Sequence, residues 1–104
     1  MKDRRLRIGS AFYDFKVLPM QSDHGESHPD NYYVKIGDHL TGRMKGRTLF
    51  HEIVHIGLAE YFQGKLSEEQ EEKLALAIES TFGGFAIDEY DTFLEILNLM
   101  RGPQ

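Results

Sequence analysis

The chain has 104 residues and no cysteine, with twelve Lys and Arg against seventeen Asp and Glu for a formal charge of −5. That length suits one domain able to bury about two-thirds of its unfolded surface, and the missing cysteines exclude a disulfide framework, a thiolate metal site and a cysteine nucleophile. The acidic balance argues against a nucleic-acid partner, and no apolar run approaches the roughly 20 residues of a membrane span.

The basic start MKDRRLRIGS lacks the apolar stretch of a signal peptide, so a soluble cytoplasmic domain without a membrane partner is expected. In LRIGSAFYDFKVLP, Tyr13, Phe15 and Val17 alternate with Asp14 and Lys16, the period of a half-buried strand that Pro19 ends. Gly9-Ser10 breaks the phase between Ile8 and that run, which predicts a bulge or bend. QSDHGESHPDN, residues 21–31, is rich in turn formers and reads as an exposed loop. YYVKIG, residues 32–37, reads as a second strand with Tyr32, Val34 and Ile36 on one face.

From about Thr41 the pattern becomes helical through RMKGRTLFHEIVHIGLAEYFQ, with Gly64 as the expected C-cap. Between Leu49 and Phe62 it is apolar nearly all round, interrupted mainly by His51, Glu52, His55 and Glu60, which predicts a helix buried on most sides. Ser67 and Gln70 have the spacing of a capping box, and Glu68 and Glu69 suit the positive end of the helix dipole. That second helix is expected to run to Phe82, where Gly83-Gly84 stops it. A last helix should begin near Asp88 and end before Gly102-Pro103, with Tyr90, Phe93, Leu94 and Leu97 as its apolar stripe. The order β-β-α-α-α describes one small α+β domain over residues 1–104: a short sheet of two or three strands with helices on one face.

His51, Glu52 and His55 form an H-E-x-x-H match. Residues i and i+4 lie one above the other on a helix, so both imidazoles can reach one cation, and neutral imidazole suits Zn²⁺. Glu52 is turned about 100° from His51, a poor position for a ligand and a good one for a base acting on water beside the histidines. With five histidines and ten glutamates in the chain, a chance match has odds of roughly one in fifty. A buried helix would pay heavily for unpaired imidazoles and a carboxylate, which favours a site over coincidence.

A zinc enzyme needs a third protein ligand and an open position. Leu58 and Tyr61 stand where the extended H-E-x-x-H-x-x-G-x-x-H pattern has glycine and histidine, so the ligand should be a carboxylate of the following helix. Of Glu68, Glu69, Glu71, Glu72 and Glu79, the pair Glu71 and Glu72 flank the apolar stripe Ala75, Ile78 and Phe82. Among other polar residues, His24 and His28 could serve a second metal, His39 could line the cleft, and Tyr32, Tyr33 and Tyr61 are candidate oxyanion donors.

The segments YDFKVLP, TLFHEIVHIGLAEYF and LSEEQEEKLALAIESTF resemble those of small single-domain H-E-x-x-H zinc metallopeptidases of bacteria and their phages, minimal gluzincin-like zincins related to enzymes that cleave repressors of mobile elements. The resemblance covers most of the chain, and the C-terminal GGFAIDEYDTFLEILNLMRG is longer than the minimal form. It implies a zincin-like fold and Zn²⁺ held by His51, His55 and Glu72, with Glu71 the runner-up. Glu52 would be the general base in hydrolysis of a peptide or protein substrate. It also implies an edge strand that aligns an extended substrate, for which YYVKIG is nominated. The rival reading is a zinc-binding regulatory or interaction module of the same fold that cuts nothing.

Overall fold

The computed structural model describes residues 1–20 and 23–103. The N-terminal run forms a two-stranded hairpin, β1 (Arg4–Ile8) and β2 (Ala11–Leu18), with Ile8 paired to Ala11. Gly9 takes φ +62° at the first of the two turn residues, a conformation that lacks the Cβ penalty only for glycine. The phase break at Gly9-Ser10 is therefore a tight reversal between two strands rather than a bulge in one. Tyr13 and Phe15 face inward and are buried, while Asp14 and Lys16 face water, as the alternation requires.

The expected loop over 21–31 begins in residues 21 and 22, outside the described ones. Its remainder contains a strand, β3 (Gly25–His28), followed by a 3₁₀ turn at Pro29–Asn31. Tyr32 is left-handed at φ +55° and stays outside the sheet, so the next strand, β4, spans Tyr33–Gly37 with Val34 and Ile36 fully buried. The sheet order is β1-β2-β4-β3, with β2 and β4 parallel and the other pairs antiparallel. The sheet thus has four strands rather than two or three. β4 lies inside it; the exposed edge beside the helices is β3, which corrects the nomination of YYVKIG. Turn-forming residues hid β3, because only backbone pairing with β4 makes GESH a strand.

Helix α1 (Gly42–Phe62) starts at Thr41, whose hydroxyl accepts from the Met44 N–H at 3.3 Å. It closes at Gln63, which is left-handed at φ +53° and immediately followed by Gly64, itself at φ +75°. One face of α1 places Leu49 and Ile56 against Ile8, Tyr13, Phe15, Val34 and Ile36 of the sheet. Another places Val54 and Leu58 against Ala75 of the next helix. Glu60 accepts a hydrogen bond from the Ser10 N–H at 3.0 Å and ties the helix to the β1–β2 turn.

Helix α2 (Glu68–Ile78) begins with the complete capping box, Ser67 and Gln70 each accepting from the other's backbone N–H. It does not end at Gly83-Gly84. A π-helical turn (Glu79–Gly83) carries it into α3 (Gly84–Asp88), and both glycines keep right-handed helical dihedrals. Glycine stops a helix by supplying a left-handed residue, and neither does so here. After a break at Glu89, α4 (Tyr90–Arg101) buries no residue. Among the described residues α1 is the helix that mainly covers the sheet; α2 packs on α1, and α4 packs on α3, with Phe85 and Phe93 edge to face at 6.3 Å. The result is an α+β domain with a four-stranded mixed sheet. Among the described residues no helix is long and apolar enough to cross a membrane.

Candidate metal centre

His51 and His55 leave the same side of α1, with ring centroids 4.5 Å apart. Their Nε2 atoms are 3.0 Å from each other. The Glu72 carboxylate from α2 approaches both, at 3.1 Å from His55 Nε2 and 3.8 Å from His51 Nε2. Ligand atoms of these three residues all lie within 4.8 Å of one another.

The outer nitrogens settle the tautomers. His55 Nδ1 is 2.7 Å from Glu71 Oε1, and His51 Nδ1 is hydrogen-bonded to Glu79 Oε1. An ionised carboxylate only accepts, so each Nδ1 carries a proton, and a ring in its neutral form turns a lone pair at Nε2 toward its neighbour. With both rings neutral, two lone pairs and a carboxylate converge on one point, an arrangement suited to a cation, whether a proton or a metal ion. A tetrahedral zinc with bonds of about 2.0–2.1 Å spaces its donors ~3.3 Å apart, close to the distances above. The chemistry and the spacing of the donor set fit Zn²⁺, and the half-exposed Glu72 leaves one side open.

For His55, burial disfavours the charged ring. The Glu71 hydrogen bond and the negative charges of Glu71, Glu72 and Glu52 outweigh it and raise the pKa above the ordinary imidazole value. The carboxylates that favour a proton on this ring favour a divalent cation for the same reason.

Glu52 is buried on the side of α1 that faces β3 and makes no hydrogen bond or ion pair among the described residues. Together with Asp23, His24, Gly25, Arg47, Thr48 and His51 it lines a cleft of about 440 Å³. β3 passes so close here that a Cβ on Gly25 would stand 2.7 Å from Thr48 Cγ2 and 3.4 Å from Glu52 Cγ.

The residues singled out from the sequence divide clearly. His51, Glu52, His55 and Glu72 come together; Glu71 belongs to the outer nitrogen of His55, and Glu68 and Glu69 stay in the first turn of α2. His24 reaches the cleft and its ring lies 6.1 Å from that of His39, which packs over Gly37. His28 is elsewhere, stacked on Tyr33 at 4.3 Å and hydrogen-bonded to Glu26. Tyr61 is 81% exposed, Tyr32 packs on Tyr13 and Tyr33 on His28, so none of the three tyrosines lines the cleft. Sequence reasoning missed the roles of Glu79 and Arg47. The helical repeat signals both, since Glu79 lies two turns beyond Glu72 and Arg47 one turn before His51.

Comparisons of the chain with protein-family models, with curated proteins and with solved structures gave no match.

Proposed function

We propose that this chain is a zinc-dependent peptidase, a small zincin-like domain in which His51, His55 and Glu72 hold Zn²⁺ and Glu52 is the general base. The observation that carries the reading is the convergence of two imidazole Nε2 atoms and a carboxylate, set beside a buried carboxylate that lines a cleft. Zinc, when bound, lowers the pKa of a coordinated water toward about 7 and polarises a carbonyl.

The chain's own residues supply the rest. Glu71 and Glu79 hold the two imidazoles in the tautomer that presents Nε2. Glu52 takes a proton from water and delivers it to the leaving amine. Arg47 puts a positive charge on the cleft wall, suited to the oxygen of a carbonyl under attack. β3, the sheet edge at the cleft, offers backbone groups to an extended peptide.

Glu52→Gln keeps the shape of the side chain and removes the base. The purified wild type is expected to hold about one zinc per chain, and the variant to hold the same while its cleavage of a peptide library falls by about 10²–10⁴. Metal analysis and mass spectrometry of new peptide termini read the two outcomes. Cleavage that persists in Glu52→Gln removes the base from the reading. A zinc-loaded wild type that cuts nothing in the library favours the regulatory module over the enzyme.

A further inference from the structure

The C-terminal arm is built differently from the rest of the molecule. α4 packs on α3 and makes little contact with the sheet or α1. The radius of gyration is 14.4 Å, above the ~13 Å of a compact chain of about 100 residues. At about 100° per residue, Tyr90, Phe93, Leu94, Ile96, Leu97 and Met100 fall on one arc of roughly 160° around α4. Arg101, in the last turn, falls on the same arc, and Asp91, Thr92, Glu95, Asn98 and Leu99 occupy the remainder. Tyr90 is 60% and Met100 77% exposed, and Leu94, Ile96 and Leu97 are each more than a third exposed. A lone helix of 12 residues is marginal in water without a partner for its apolar side.

We infer that a second copy of this chain covers α4: two copies pair their stripes antiparallel about a twofold axis. Area supports this occupant. With about 200 Å² for a large apolar side chain, the exposed fractions of these residues and of Phe85 amount to roughly 600 Å² of apolar surface per copy. Homodimer interfaces are about 65% apolar, so a contact that covered all of this surface would reach about 900 Å² per partner, enough for the ~800 Å² of a stable complex. Charge supports it as well. Asp88, Glu89 and Asp91 gather at the start of α4, so antiparallel pairing keeps the two acidic clusters apart where parallel pairing would stack them. The same acidic flank repels an anionic membrane surface, which selects Lys- and Arg-rich helices.

Sedimentation equilibrium of the full chain over a dilution series tests this. The expected mass is twice the 12.0 kDa of one chain, falling to that of one chain on dilution. Leu97→Glu is expected to raise the dissociation constant more than tenfold while the far-UV circular dichroism stays that of a folded domain. Leu99→Glu, on the opposite side of α4, is expected to leave association unchanged. Should Leu97→Glu disturb folding, the uncharged double variant Ile96→Ala/Leu97→Ala carries the same expectation. A wild type that stays monomeric throughout overturns the inference, whether or not it binds phosphatidylcholine or phosphatidylserine vesicles. So does a dimer that both stripe variants leave intact, or one that Leu99→Glu disrupts equally.

Discussion

Among single residues, four glutamates of α2 and the π-turn differ by what each faces. Glu72 faces both Nε2 atoms, Glu71 and Glu79 each face one Nδ1, and Glu69 pairs only with exposed Lys73 at 3.2 Å. Under the zinc reading, Glu72→Ala removes a metal bond and should weaken zinc binding most. Glu71→Ala and Glu79→Ala release an imidazole from its orienting partner and should cost about 10–100-fold each. Glu69→Ala should change nothing measurable, because an exposed ion pair contributes little. Competition titrations with a zinc chelator rank the four, and an order with Glu71 first would exchange the parts of Glu71 and Glu72. His55 gives a second expectation, in pH. Its pKa is raised in the fold from an unfolded value of about 6.5. Metal-free protein therefore gains stability as pH falls: the contribution is complete below ~6.5 and is lost as pH rises through the raised value. Zinc binding has the opposite sign, since a proton on Nε2 competes with the metal and affinity declines as pH drops through that value. Melting curves across pH, with EDTA and with zinc, should slope in opposite directions over this window. Parallel slopes would remove His55 from the ligand set.

Elements fix how closely those residues approach. β3 lies on α1 where Gly25 meets Thr48, and an added Cβ at 2.7 Å from Thr48 Cγ2 and 3.2 Å from the Lys35 carbonyl leaves no room without a shift. Gly25→Ala is expected to cost about 1–3 kcal/mol of stability, the range of an overpacked core. Under the peptidase reading it should also reduce cleavage, because the strand that walls the cleft beside Glu52 is displaced. Chemical denaturation with a paired cleavage assay checks both, and an unchanged denaturation midpoint would show that the edge strand yields freely. The π-turn matters at this scale too. It opens at Glu79, the residue that meets His51, and such turns recur where a helix must present a side chain away from its regular register. Helical periodicity in the sequence made α1, the start of α2 and the shared face of His51 and His55 legible. It could not reveal the π-turn, because Gly83-Gly84 reads as a stop and only packing holds it helical. Nor could it reveal β3, whose residues have no strand preference and become a strand by pairing with β4.

Taken as a whole, the molecule is divided by charge as well as by structure. Residues 1–47, holding the sheet and the first turns of α1, carry nine basic and six acidic side chains; residues 48–104 carry three and eleven. The net charge of −5 therefore belongs to the helical side, where negative potential raises the local concentration of cations. What length and composition made legible at this scale was one α+β domain. They could not foretell which surfaces meet: the expected covering of the sheet by three helices reduces mainly to α1, since an apolar stripe states that a helix wants a partner without naming it. α4 carries the expected stripe of Tyr90, Phe93, Leu94 and Leu97, yet among the described residues its main contact is with α3.

The parallel seam between β2 and β4 has a consequence for the order of folding. Each antiparallel pair closes over a short turn, from Ile8 to Ala11 and from His28 to Tyr33, whereas the seam joins Asp14 to Tyr33, nineteen positions away. Closure entropy grows with the span bridged, and a parallel ladder cannot zip outward from a turn. The two hairpins should gain protection first and then dock along the seam, which brings the β3 wall of the cleft into place at a late stage. Pulsed hydrogen exchange during refolding reads this order directly: amides of the β1–β2 pair should be protected before those that bridge β2 and β4, and simultaneous protection would show a sheet that forms all at once. The cleft would then be among the last parts of the chain to exist, and whatever its side chains bind would find a preformed site only once the domain around them is built.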